Sequence, residues 1–222
     1  MVIPLMAGVV RHTDSGRAPF SNAWWLGTCF GISMFGLLLR ALVVGYAPVG
    51  TSGRNTRSQV AAELNVTGLY SIVRHPLYIG NVLIWLGIVM SVCDTGVTCM
   101  FLFAFGLYYE RIMAAEEAFL ELQFGDVFRK WAADTPAVIP RFSFWKTSDL
   151  RFSIRNVLRR EYCGLLGVTG GFAALDLATH VLTEGRLLID PVWAASLVVG
   201  VTAFFMLRSL KKHTQLLHVP GR

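Results

Sequence analysis

The chain has 222 residues, of which 54% are hydrophobic and only 15% charged, and its mean hydropathy is +0.53. That is greasier than an ordinary soluble domain, and the apolar residues are gathered into stretches almost without charge, which excludes a soluble enzyme of the usual kind and points to a bilayer as the solvent. A net charge of +6 and a pI near 9.4 would suit a nucleic-acid binder only if the bases formed one face; here they collect at the ends of the apolar stretches, where lipid headgroups are the expected counter-charge.

Residues 1–23 begin with a short apolar run, Met1 to Val10, followed by Arg11, His12 and Asp14. A secretory signal has its positive residues before the apolar run, so this segment is expected to be retained, as an interfacial stretch. The first span is expected over 24–47, opening on the interfacial pair Trp24 and Trp25. Its single charge, Arg40, either snorkels to the nearby surface or finds a partner inside the bundle. Residues 48–74 are polar and rich in Gly, Ser, Thr and Asn, and read as a loop that can order on a ligand.

Two short spans follow, 77–92 and 97–113, separated only by Asp94, Thr95 and Gly96, so they form a tight antiparallel hairpin. With Thr95 as its centre, the surroundings of His75 face Ala115 and Glu116. Residues 116–146 mix acids, bases, aromatics and prolines, as a cap over the mouth of the bundle would. From Ser148, Leu150, Ile154, Val157 and Leu158 recur at helical spacing while Arg151, Arg155 and Arg159 take another face, giving a basic amphipathic helix over 147–161 expected in the headgroup layer. Two more spans, 162–182 and 190–207, complete a C-terminal region running to 222. Asp176 and His180 stand at i and i+4; the plainer reading is a mutually satisfied pair near the outer interface, the alternative a polar site or proton relay.

Five spans in this order put Arg11, Arg17 and Arg186 on one side of the membrane and sixteen basic residues on the other. The excess marks the basic side as cytoplasmic, with the N-terminus outside and the C-terminus inside. Cys29, Cys93, Cys99 and Cys163 show no C-x-x-C spacing and lie in or beside apolar runs, so no metal site and no structural disulfide is expected of them.

Polar residues with chemical capacity gather in two places. One is Gly68, Tyr70, Arg74, His75, Pro76, Tyr78 and Gly80, at the entrance of the second span, where a proline in the first helical turn sacrifices no hydrogen bond. The other is Arg111, Glu116, Glu117 and Leu120, with Phe124-Gly125 and Ile139-Pro140 further on. In order and spacing, over about residues 26 to 142, these resemble the isoprenylcysteine carboxyl methyltransferase family, grouped with the phospholipid methyltransferases. The resemblance implies an all-α integral membrane enzyme with a methyltransferase core over 24–146, set in a bacterial inner membrane with its S-adenosyl-L-methionine pocket at the cytoplasmic mouth. It places the cofactor against Ala62, Glu63, Leu64, Asn65, Tyr70, His75, Pro76, Leu77, Tyr78 and Glu116, with Glu116 as the partner of the cofactor's amino group. Arg111 corresponds to the arginine that orients the acceptor, and Arg74 and Glu116 join it as catalytic candidates. The partners implied are membrane lipids and a lipid-like or small apolar acceptor: an isoprenylcysteine carboxylate, a phospholipid amine or a thiol. No nucleic acid is expected.

Three departures qualify the match. Ala62 stands where a histidine is common and Phe128 where a tyrosine is common, and the stretch from about Phe144 onward aligns with nothing in the pattern. Two other classes remain open on the residues alone. A nicotinamide-dependent sterol or enone reductase shares the Arg74-His75-Pro76 stretch but carries a glutamate where Asn81 stands, and a non-catalytic membrane scaffold leaves the Arg74, His75, Tyr78 and Glu116 grouping unexplained.

Overall fold

A computed structural model describes residues 8, 22–48, 61 and 63–219. The expected N-terminal segment and Ala62 lie outside the described residues, apart from Gly8, Asn22 and Ala23 of the former. Six helices carry the fold among the described residues: α1 (Ala23–Tyr46), α2 (Pro76–Met90), α3 (Thr95–Phe124), α4 (Asp126–Asp134), α5 (Ile154–Glu184) and α6 (Pro191–His213). It is an all-α membrane protein. By length and composition α1, α3, α5 and α6 can each cross a membrane, whereas α2 is an apolar helix of 15 residues, roughly 22 Å long.

Local chemistry sets most boundaries. Asn22 caps α1 by accepting from the Trp25 amide at 3.2 Å, and Asp94 caps α3 by accepting from the Val97 amide at 2.9 Å. Pro76 and Pro191 occupy first-turn positions, where the missing N–H costs nothing. Several boundaries differ from expectation: Thr95 and Gly96, expected in the turn, already belong to α3, and α6 runs past 207 to His213. The helix that carries the third expected span, 97–113, runs on to Phe124, because residues 114–124 include strong helix formers whose acids find partners, Glu116 in Tyr78, Glu117 in Arg74 and His75, and Glu121 in Arg129; Gly125, at φ 53°, ends it. The basic helix expected over 147–161 is not a separate element. Helix begins only at Ile154, where Ser153 accepts from the Asn156 amide at 3.3 Å, and runs unbroken into the next span as α5. Residues 148–153 are not helical: the chain bends at Asp149–Leu150, the Ser153 amide sits on the Gly45 carbonyl at 3.0 Å and the Phe152 ring lies 5.3 Å from Tyr46.

α1 and α2 pack most closely. A Cβ on Gly36 would lie 2.6 Å from the Gly80 carbonyl oxygen, so the two backbones touch through paired glycines, as membrane helices do when dispersion rather than hydrophobicity drives association. Ser33 reinforces the seam by donating to the Ile84 carbonyl at 2.8 Å. The apolar core fills the half of the bundle containing the α2–α3 turn. There Phe172 stacks on Trp193 at 5.0 Å and takes the edge of Phe30 at 5.3 Å, beside Cys29, Val89 and Val168. The opposite half is polar, and it holds the site.

Candidate active site

The chain leading into α2 is fastened by backbone pairing to the segment after α4. Gly68 donates to the Lys146 carbonyl at 2.8 Å, Arg74 to Pro136 at 2.9 Å, His75 to Ala137 at 3.3 Å, and Arg141 returns a bond to Ile72 at 2.9 Å. Gly68 has φ 60° and ψ −134°, a conformation open essentially to glycine, which explains that position of the motif. The Ser71 hydroxyl donates to the Gly68 carbonyl at 2.7 Å and accepts from the Lys146 amide at 2.9 Å, locking the turn.

That anchoring presents His75, 5% exposed, at the N-terminal end of α2 between the two glutamates of α3. His75 Nε2 lies 2.7 Å from Glu117 Oε1, and its Nδ1 lies 3.6 Å from Glu116 Oε2. The Tyr78 hydroxyl, one turn into α2, donates to Glu116 Oε2 at 2.7 Å, and its ring stacks on His75 at 5.4 Å. Arg74 Nε stands 3.2 Å from Glu117 Oε1 while its Nη1 donates to the Ala132 carbonyl at 3.3 Å. The hairpin therefore does bring the two motifs together, one residue further along α3 for His75 than equal counting from Thr95 gives.

The remaining expected residues fall in different places. Pro76 is buried, and Leu77 and Tyr78 are half-buried beside it; Glu63 is exposed and Leu64 half-buried in the segment before the turn. Asn65 and Tyr70 line a recess of about 290 Å³ between the end of α1 and residues 145–148, with Leu42, Val43, Tyr46 and Trp145 as its apolar wall. The Tyr70 hydroxyl is enclosed, and that burial together with the negative charge of Glu116 pushes its phenol above the ordinary range. Gln123 Nε2 donates to the Ala61 carbonyl at 3.4 Å, laying Ala61 beside α3 two turns beyond Glu116. Arg111 is not part of this cluster. It is exposed, and two residues past Tyr109 it stands about 200° round α3 from the face that meets α2.

A second polar layer beneath the site was not legible in the sequence. Arg40, 9% exposed, donates through Nε and Nη2 to both carboxylate oxygens of Glu161 at 2.9 and 2.8 Å. Its Nη1 donates to Asn81 Oδ1 at 2.7 Å, and Asn81 Nδ2 donates to the Tyr109 hydroxyl at 2.9 Å. Tyr109 meets Tyr78 edge-on at 4.9 Å. Arg40 is thus paired inside the bundle rather than snorkelling, and α5 is tied through it to the residues under Glu116. The one signal that could have found Glu161 is that it is the only acid in the 150–175 stretch, at the point where the basic face gives way to apolar helix.

Comparison with known proteins bears on this arrangement directly. The sequence model of the isoprenylcysteine carboxyl methyltransferase (ICMT) family matches residues 31–121, which contain Arg40, His75, Tyr78, Asn81, Tyr109, Glu116 and Glu117. The cobalt-zinc-cadmium resistance protein CzcN of Cupriavidus metallidurans is 34% identical over 192 residues, covering 83% of this chain and 73% of its own length. The chain belongs to the isoprenylcysteine carboxyl methyltransferase family. The nickel-cobalt-cadmium resistance protein NccN of Alcaligenes xylosoxydans xylosoxydans is 25% identical over 169 residues, covering 75% of this chain and 76% of its own. No solved structure matches. Coverage of 83% cannot fit within residues 1–142, so the likeness to CzcN extends into α5, which the motif alone leaves unmatched. Within the family, then, the Glu161 side of the polar layer belongs to the part of the chain shared with this relative.

Proposed function

We propose that the protein transfers a methyl group from S-adenosyl-L-methionine to a lipid-like or small apolar acceptor at the cytoplasmic mouth of the bundle. The observation that carries this reading is the joined cluster Tyr78–Glu116–His75–Glu117, built by two separate motifs. The residues fit the cofactor chemically. Among the described residues the contacts of Glu116 run through Oε2, so Oε1 can accept a charge-assisted hydrogen bond from an ammonium group. The bound cofactor supplies an electrophilic methyl on sulfur, whose C–S bonding pair stays with sulfur as the acceptor's lone pair forms the new bond.

What the protein must add is alignment rather than a strong base, because a carboxylate or thiolate acceptor is already nucleophilic. His75 and Arg74 hold the glutamates in place; Arg111 keeps its acceptor-orienting role from the resemblance alone, since it stands on the exposed side of α3, away from the face that meets α2. The acceptor classes that fit are an isoprenylcysteine carboxylate, a phospholipid amine and a thiol. A recess of about 430 Å³ rimmed by Arg159, Lys211, Lys212 and His213 supports contact with anionic headgroups on the same side. The charge asymmetry supports an N-terminus outside and a C-terminus inside the inner membrane. From the relatives' names we take the cellular setting to be resistance to divalent metal ions.

Asn81 argues against the reductase reading, since its amide is committed to Arg40 and Tyr109. Calorimetry on the purified protein, with S-adenosylhomocysteine and with NADPH, tests the proposal. We expect binding of the former, weakened about 10- to 100-fold in Glu116→Gln, as loss of a charge-assisted hydrogen bond implies. Binding of NADPH alone overturns it.

A further inference from the structure

At the end of the bundle away from His75 and Glu116, a second cluster is built where α5 turns into α6. Asp176 is fully buried, with 0% exposure, and His180 stands one turn later on the same face. The chain leaves α5 through Gly185, at φ 67°, and Asp190 returns alongside as the residue before Pro191. His180 Nε2 lies 3.4 Å from Asp190 Oδ1 and 3.9 Å from Asp176 Oδ1, and one ligand atom from each of the three residues falls within 4.8 Å of the others. From this geometry we infer that Asp176, His180 and Asp190 form a binding site for a divalent transition-metal ion of the zinc class.

Two physical points separate this grouping from a simple pair. The first is an unmet demand. Asp176 Oδ1 is a buried oxygen without a hydrogen-bond partner among the described residues, and it is aimed at the imidazole of His180. Glu184 adds a third carboxylate, 3.5 Å from His180 Nδ1, so even a protonated histidine leaves excess negative charge around a buried oxygen. A dication meets that demand where another side chain does not.

The second point is orientation. Asp176 Oδ2 accepts the Asp190 amide at 2.7 Å, which turns Oδ1 inward, and the Glu184 carboxylate stands 3.5 Å from His180 Nδ1 without forming a hydrogen bond, near enough to accept from that nitrogen once Nε2 is committed to an ion. A carboxylate behind the far nitrogen of a ligating histidine is the arrangement that fixes metal-binding imidazoles. For metal–ligand distances near 2.0–2.1 Å, tetrahedral ligand atoms lie about 3.3–3.5 Å apart, and the observed spacing needs only small side-chain adjustment to reach it. One nitrogen with two carboxylates suits zinc, cobalt or nickel better than calcium, which takes six to eight oxygens. Asp190 and Glu184 are half-exposed, so the ion has a route in from solvent, and the fourth position is left to water.

The site stands independently of methyl transfer, and its test does not use activity. The untagged full chain in detergent is titrated with cobalt(II) chloride, read by visible d–d absorption, and with zinc chloride, read by calorimetry and melting temperature. We expect the wild type to bind one equivalent more than His180→Gln and Asp190→Asn, with zinc raising the melting temperature of the wild type and not of these variants. Asp190 is half-exposed, so Asp190→Asn keeps the fold while removing a ligand, and Glu184→Gln is expected to weaken binding about 10- to 100-fold. Equal stoichiometry in wild type and variants overturns the assignment, as does a wild type whose melting temperature zinc does not raise.

Discussion

Removing the carboxylate of Glu161 is the perturbation for which the structure makes the sharpest demand. Glu161 and Arg40 have side chains only 6% and 11% exposed, and the guanidinium spends two of its three nitrogens on this carboxylate. With charge centres roughly 4 Å apart and an effective dielectric near 20, their attraction is about 4 kcal/mol, and burying the two ions costs several kcal/mol each. The pair is therefore close to break-even as a whole, yet far from break-even when halved. Glu161→Ala leaves a buried cation with, among the described residues, only Asn81 as hydrogen-bond partner, for an expected loss of about 3–5 kcal/mol. Replacing both ends by apolar residues, Arg40→Met with Glu161→Leu, is expected to recover most of that. Equilibrium unfolding in mixed micelles measures all three variants. A Glu161→Ala protein as stable as wild type, or a double variant no better than the single, would refute the view that the pair is a closed, desolvated unit. Affinity for S-adenosylhomocysteine gives a second reading of the double variant, because without Arg40 the Asn81–Tyr109 support beneath Tyr78 loses its anchor; we expect it to weaken while stability returns.

Further outcomes concern the turn at Gly68 and the exposed Arg111. Gly68→Ala has room for its methyl group, the nearest atom being Ser148 Cβ at 3.8 Å, so its expected cost of about 1–3 kcal/mol comes from the positive φ alone. The same variant should bind S-adenosylhomocysteine more weakly, and unchanged melting and affinity would mean that the turn does not depend on glycine. Arg111→Ala should leave stability within about 0.5 kcal/mol, because the residue is exposed. Its S-adenosylhomocysteine affinity should also hold, while methyl transfer to the acceptor falls; calorimetry beside a labelled-methyl assay separates the two, and lost cofactor affinity would move Arg111 to the other side of the reaction.

Much of the framework is local and so was legible in the residues themselves. Apolar length marks the long helices, Asp94 marks the turn between α2 and α3, and the order of the two motifs about that turn is enough to place His75 beside the glutamates of α3. Hydropathy failed where charge is satisfied by tertiary partners. It marked only the apolar part of α3, to about 113, whereas the helix runs to Phe124, with Glu116 and Glu117 met by Tyr78, His75 and Arg74. It also separated the basic segment from the span that follows, although α5 is continuous because Glu161, at the junction, is neutralised by Arg40.

Helix, turn and membrane follow from neighbours in the chain, since each depends on side-chain polarity and backbone preference within a few residues. Partnership across the bundle does not. Arg40 and Glu161 are separated by 121 residues, and His180 reaches a second aspartate only because the α5–α6 turn folds Asp190 back onto Asp176. Which acid meets which base was decided by the close glycine approach of α1 to α2 and the packing of α5 upon them, and no periodicity in the sequence encodes that choice.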